Sequence, residues 1–138
     1  MIGRRLLFAA LVIVALVMLP NETRAQQSGA IVANAQHEIV LDKEAWLGNT
    51  LLPAGTYTVH SHGSGASQQI HFAQEMTLTE VHPVTSVVVV YDERGKTECK
   101  TASLSKAADV TTVHYVVENG QMRIVSVDIR GQDHSHVF

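Results

Sequence analysis

The chain has 138 residues, 10 Lys and Arg against 13 Asp and Glu, a net charge of −3 with its 8 histidines neutral, and a single cysteine. The acidic balance argues against nucleic acid or an anionic membrane surface as partner, since both need basic patches, and one cysteine excludes an internal disulfide. The length suits one domain built on one core.

Residues 1–25 read as a cleavable secretory signal helix. Arg4 and Arg5 start it, Leu6 to Leu19 run without a polar residue, and Pro20, Asn21 and Glu22 end the run. Thr23 and Ala25 supply small residues at the −3 and −1 positions of a cut before Gln26. The run falls short of the roughly 20 residues that span a bilayer; a retained anchor is the alternative, because Arg24 follows it closely. No cysteine stands at the cut for lipid attachment, and Ala33-Asn34-Ala35 lies too far from the apolar run to be the favoured site. The expected organisation is a signal over 1–25, a flexible lead over 26–36 and a single β domain over 37–138, secreted or periplasmic, with no stable membrane anchor. Losing Arg4, Arg5, Arg24 and Glu22 leaves seven basic against twelve acidic residues, a net charge of −5.

The remaining elements are strands separated by turns, with no convincing helix. Glu38 to Leu41 is a short strand, Asp42 to Asn49 a turn carrying Trp46, and Thr50 to Leu52 a resumed strand. Pro53-Ala54-Gly55 marks a tight turn, because proline lacks a ladder donor and glycine tolerates positive φ. Thr56 to His62 alternates, with Tyr57 and Val59 on one face and Thr56, Thr58, His60 and His62 on the other. Gly63 to Ser67 turns into a strand from Gln68 to Ala73, and Met76 to Glu80 adds another. Ser86 to Tyr91 holds four consecutive valines, which β-branching favours in a strand and continuous apolarity places deep in a sheet. Lys96 to Leu104 puts Glu98 and Lys100 on one face and Thr97, Cys99 and Thr101 on the other, which predicts a buried, inward Cys99. Thr111 to Val117 and Met122 to Ile129 flank Asn119-Gly120, the sequence of a type I′ hairpin, with Tyr115 opposite Ile124 and Val117 opposite Met122. About seven or eight short strands at this spacing predict an all-β antiparallel sandwich or small barrel.

The histidines carry the only hint of site chemistry. His60 and His62 are two apart on one strand, and a Gly65-Ala66 tip pairs His60 with His71, so three imidazoles converge on one face. Neutral imidazoles suit zinc, copper or nickel, and three with a water form an open zinc arrangement. The competing reading is three polar residues on the solvent face of amphipathic strands, and no acidic partner is assignable from sequence. His134 and His136 repeat the pattern beside Asp133 and read either as a weak surface metal site or, the favoured reading, as a polar tail whose final Val137 and Phe138 tie down the end. His114 reads as a hydrogen-bonded boundary residue, His37 and His82 as residues where strands start.

Catalytic signatures are missing. There is no Gly-x-Ser-x-Gly elbow, Walker loop, dinucleotide fingerprint or His-Glu-x-x-His helix. Cys99 with a distant histidine makes a thiol nucleophile on paper, yet its only neighbouring activating charge is Lys100, which faces away. A mouth of the barrel holding a small ligand, or an exposed Trp46 stacking a sugar, is consistent with the composition, though aromatic residues are few.

Leu51-Leu52-Pro53-Ala54-Gly55-Thr56-Tyr57-Thr58-Val59, the stretch Val110 to Val117 with its Asn119-Gly120 turn, and Ile129-Arg130-Gly131 before His136-Val137-Phe138 resemble motifs of small secreted bacterial all-β proteins of unassigned function. The resemblance covers nearly the whole domain and implies export and an all-β fold, with no catalytic residue to transfer. The expected role is therefore a non-enzymatic binding or envelope-associated one, its partner an unknown protein or small ligand. The alternative is a transition-metal-binding protein centred on His60, His62 and His71.

Overall fold

A computed structural model describes residues 27–138 apart from Ala66 and Pro83; the expected signal over 1–25 lies outside the described residues. Ten strands make up the described fold: β1 Gln27–Val32, β2 Ile39–Leu41, β3 Ala45–Leu47, β4 Thr50–Leu52, β5 Gly55–Ser64, β6 Ser67–His82, β7 Val84–Ser103, β8 Thr112–Glu118, β9 Gln121–Asp128 and β10 His134–Val137. They form one sheet in the order β1-β8-β9-β10-β7-β6-β5-β2, with the β3–β4 hairpin attached to β9. The sheet curls into a nearly closed, barrel-like shell, so the all-β antiparallel expectation stands, with more strands than the spacing predicted.

Alternation decides what the shell encloses. Ile39, Leu41, Leu47, Leu52, Tyr57, Ile70, Phe72, Val113, Ile124 and Val127 are fully buried and share one cluster, which Ile31 and Phe138 flank. Tyr57 meets Phe72 edge-on at 6.0 Å. Its hydroxyl donates to the Pro53 carbonyl at 2.6 Å, so the aromatic body is buried while its polar tip closes the Pro53-Ala54-Gly55 turn. At Asn119-Gly120 both residues have positive φ, 52° and 76°, and Tyr115 pairs with Ile124 and Val117 with Met122, as the turn type predicts.

Several expectations differ from the structure. The lead expected to be flexible contains β1, because Gln27 to Val32 completes the open edge of β8 and turns Ile31 toward the core. Asp42 to Asn49, expected as a turn, contains β3, which runs parallel to β9 with Ala45 opposite Met122. Trp46 lies within this strand, half-buried. The C-terminal tail is β10, paired with β7 on one side and β9 on the other.

Another concerns the valine run. Phe72 pairs with Gly95 but Ala73 pairs with Glu93, leaving Arg94 as the extra residue of a β-bulge. Beyond it β5 no longer accompanies β6, and Gln74–His82 pairs only with Val84–Asp92 among the described residues. The run thus sits in a two-stranded ribbon rather than deep in the sheet, and Val90 is 40% exposed. Valine's branching favours extended backbone in either setting. Phe72→Ala is expected to cost about 3–5 kcal/mol in urea unfolding, whereas Val90→Ala stays within about 0.5 kcal/mol; equal losses would contradict this division between core and ribbon.

Candidate functional site

Two clusters of polar side chains stand on opposite faces of the β5–β6–β7 sheet. On the outer face, His60 pairs with His71 and His62 with Gln69, the register expected from the hairpin tip. The rings of His62 and His71 lie 4.3 Å apart, while His60 turns its ring toward Tyr91 at 6.3 Å. The Arg94 bulge sets Glu93 instead of Arg94 opposite Ala73, and the carboxylate reaches back to His71. His71 Nδ1 lies 2.9 Å from Glu93 Oε1 and its Nε2 3.3 Å from Gln69 Oε1. Glu93 is an acidic partner that sequence spacing did not reveal. Both nitrogens of His71 are therefore engaged, and a metal ion would have to displace one neighbour. Among the described residues no group of three or more His, Cys, Asp or Glu side chains is placed to hold a metal ion.

The inner face carries a more ordered arrangement. Gly95 and Cys99 are buried along β7 with Thr97 half-buried between them, and β10 pairs with the end of the strand so that His136 stands opposite Thr101. Cys99 is 8% exposed and His136 fully buried. Gln132, in the turn before β10, donates its amide Nε2–H to Ser61 Oγ at 2.8 Å. That orientation leaves Gln132 Oε1 to accept from His136 Nε2–H at 2.7 Å. The other ring nitrogen, Nδ1, is then a bare acceptor, 3.4 Å from Cys99 Sγ. Each donor has one acceptor along the relay Cys99–His136–Gln132–Ser61, which fixes the imidazole tautomer.

Burial sets the charge state of the pair. It pushes the Cys99 thiol above its ordinary value, because a desolvated thiolate is costly. It also pushes the His136 imidazole down, reinforced by the charge of His134 and opposed by that of Asp128. The rings of His134 and His136 are 5.0 Å apart. The resting pair is a neutral thiol donating to a neutral imidazole. Beside it opens a cavity of about 530 Å³, lined by Cys99, Gln68, Gln69, Glu98, Lys100 and Phe138 among others.

Elsewhere, His114 Nε2 lies 3.0 Å from Asp128 Oδ2 and is half-exposed, the boundary role expected of it. His37 has φ 61° in a turn, not the start of a strand, and contacts Arg130 at 2.9 Å. The inward parity of Cys99 was readable from its strand; its partner was not, because nothing in residues 130–138 shows that β10 pairs with β7. Comparison of the chain with protein-family models, with curated proteins and with solved structures gives no match.

A lowered imidazole makes folding pH-dependent with a definite sign. The unfolded chain binds the His136 proton more readily, so the contribution of this group is whole above about pH 6.5 and shrinks from there down to the lower folded value. Asp128 acts in a separate window. Burial opposes its charge, but hydrogen bonds from Ser135 and His114 and the charges of His114 and His136 hold it below the ordinary 3.8, so its contribution disappears only as pH falls through that lower value. Urea unfolding from pH 8 to pH 5 is expected to show a decline in stability that is shallower in His136→Gln; identical slopes would contradict the assignment.

Proposed function

We propose that this chain is an exported, non-enzymatic β domain that binds a small zwitterionic ligand at the mouth of its barrel, in an envelope-associated role. The observation that carries the reading is the cavity of about 530 Å³ beside Cys99, within the roughly 300–1,000 Å³ usual for small-molecule sites. Phe138 and Val137 offer apolar contact, Gln68 and Gln69 offer amides, and Glu98 and Lys100 bring opposite charges to the rim. That pairing of charges suits the ammonium and carboxylate of an amino acid or short peptide. The export signal read from residues 1–25 supports an extracytoplasmic location.

A probe that binds without reacting is S-methylglutathione. Titrated into the ¹⁵N-labelled protein, it is expected to shift amides around Gln69, Cys99, Lys100 and Phe138 and to saturate with a dissociation constant below about 1 mM, or about −4 kcal/mol. Lys100→Glu should weaken binding about three- to tenfold, the size of an exposed charge contact. Absent shifts, or shifts scattered over surfaces away from the cavity, would overturn the reading.

The histidine face supports a second reading, a transition-metal site, through the 4.3 Å approach of His62 and His71. The engagement of His71 by Glu93 and Gln69 weighs against it. Calorimetric titration with zinc, copper and nickel separates the two. Binding no tighter than high micromolar is expected; tighter binding abolished by His60→Ala with His71→Ala would favour the metal protein.

A further inference from the structure

We propose that Cys99 captures low-molecular-weight disulfides as mixed disulfides, with His136 as the base that takes its proton. The proposal rests on the reading that the cavity accepts a small zwitterion, and adds the chemistry that the cavity wall can perform.

The relay Cys99–His136–Gln132–Ser61 has the parts of an activated nucleophile: a thiol, a base 3.4 Å away and an amide that holds the base in the required tautomer. Cys99 also lines the cavity. Two chemistries need such a pair. Acyl transfer requires N–H donors aimed at a developing oxyanion, commonly those of a helix N-terminus. All elements among the described residues are strands, and no helix N-terminus faces Cys99. Exchange at a disulfide sulfur develops no oxyanion and needs only the thiolate, a route for the proton and access.

The step balances without an added oxidant. As Cys99 Sγ–H passes its proton to His136 Nδ1, the sulfur bonds to one sulfur of R–S–S–R′ and the S–S bond of the substrate breaks. The departing R′ thiolate takes the proton from His136 and leaves as R′–SH. Cys99 is oxidised to the mixed disulfide and R′ is reduced. Cys99 is the only cysteine of the chain, so no second thiol resolves the adduct. The outcome is stoichiometric capture, reversed by an external thiol. Disulfides persist in the exported compartments that the N-terminal sequence implies.

The titratable groups around the pair are His134 on β10, Asp128 on β9, His62 on β5, and Glu98 and Lys100 on either side of Cys99. With a neutral thiol and a neutral imidazole as the reacting form, the capture rate is flat across neutral pH. A thiolate working alone gives a rate that climbs tenfold per pH unit.

The test is incubation of the folded protein with glutathione disulfide, followed by intact-mass spectrometry from pH 6 to pH 8. One adduct per chain, located at Cys99 and removed by dithiothreitol, is expected, with a pH-independent rate. His136→Gln should slow it about 100-fold at pH 7 and restore the tenfold rise per unit, the effect of losing a general base. Ser61→Ala, which leaves every buried ring in place, should slow it about three- to tenfold, the effect of one neutral hydrogen bond. This second variant keeps the test valid if His136→Gln does not fold. No adduct unless urea is present, or a wild-type rate that climbs with pH, would overturn the capture role. If S-methylglutathione still binds in that case, this inference fails alone; if it does not, the binding reading fails as well.

Discussion

Strand β7 changes partners between Cys99 and Lys100, and the rest of the structure follows from that exchange. Up to Cys99 its pairing is with β6, and from Lys100 to Ser103 it is with β10. One continuous strand therefore joins the half of the shell containing β2, β5 and β6 to the half containing β8, β9 and β10. From Gly95 onward its side chains alternate without interruption, so Cys99 keeps to the inner face up to the point where pairing with β6 on one edge gives way to pairing with β10 on the other. That is how a cysteine from one half comes to face a histidine from the other.

A bulge at the other end of the same stretch separates core from ribbon. Gly95 lies under the β3–β4 hairpin, and a Cβ there would come within 2.8 Å of Leu52 Cδ2, so the small residue is required by close packing. One residue earlier, the extra Arg94 shifts the register and sends β6 and β7 out of the shell as a ribbon. The bulge also chooses the charge beside His71, an acid where an unbroken ladder would set an arginine. His71 is thereby drawn into hydrogen bonds with Glu93 and Gln69, with the ring of His62 packed beside it.

The inner relay is costly to bury and repays that cost only because each group has a partner. Ser61 comes from β5, Gln132 from the turn before β10, His136 from β10 and Cys99 from β7. Removing the partner of the fully buried His136 would leave one of its ring nitrogens without a hydrogen bond. On the proposed reading, a ligand that enters the adjoining cavity meets a group already oriented for proton transfer.

Sequence by itself determined what depends on neighbours along the chain. Period-two alternation gave the inward Cys99 and the outward His60 and His62, and Asn119-Gly120 gave a turn whose two positive φ values set the register of Tyr115 with Ile124. The same local logic misplaced the valine run, because β-branching reports an extended backbone and not how many strands flank it. It also missed β1 and β10, whose short polar sequences become strands only when another edge accepts their hydrogen bonds. His136, Gln132 and Ser61 stand 37, 33 and 38 positions from Cys99. Only tertiary structure decided that they meet, because the pairing of β10 with β7 is a contact between distant segments and alternation within either strand carries no record of it.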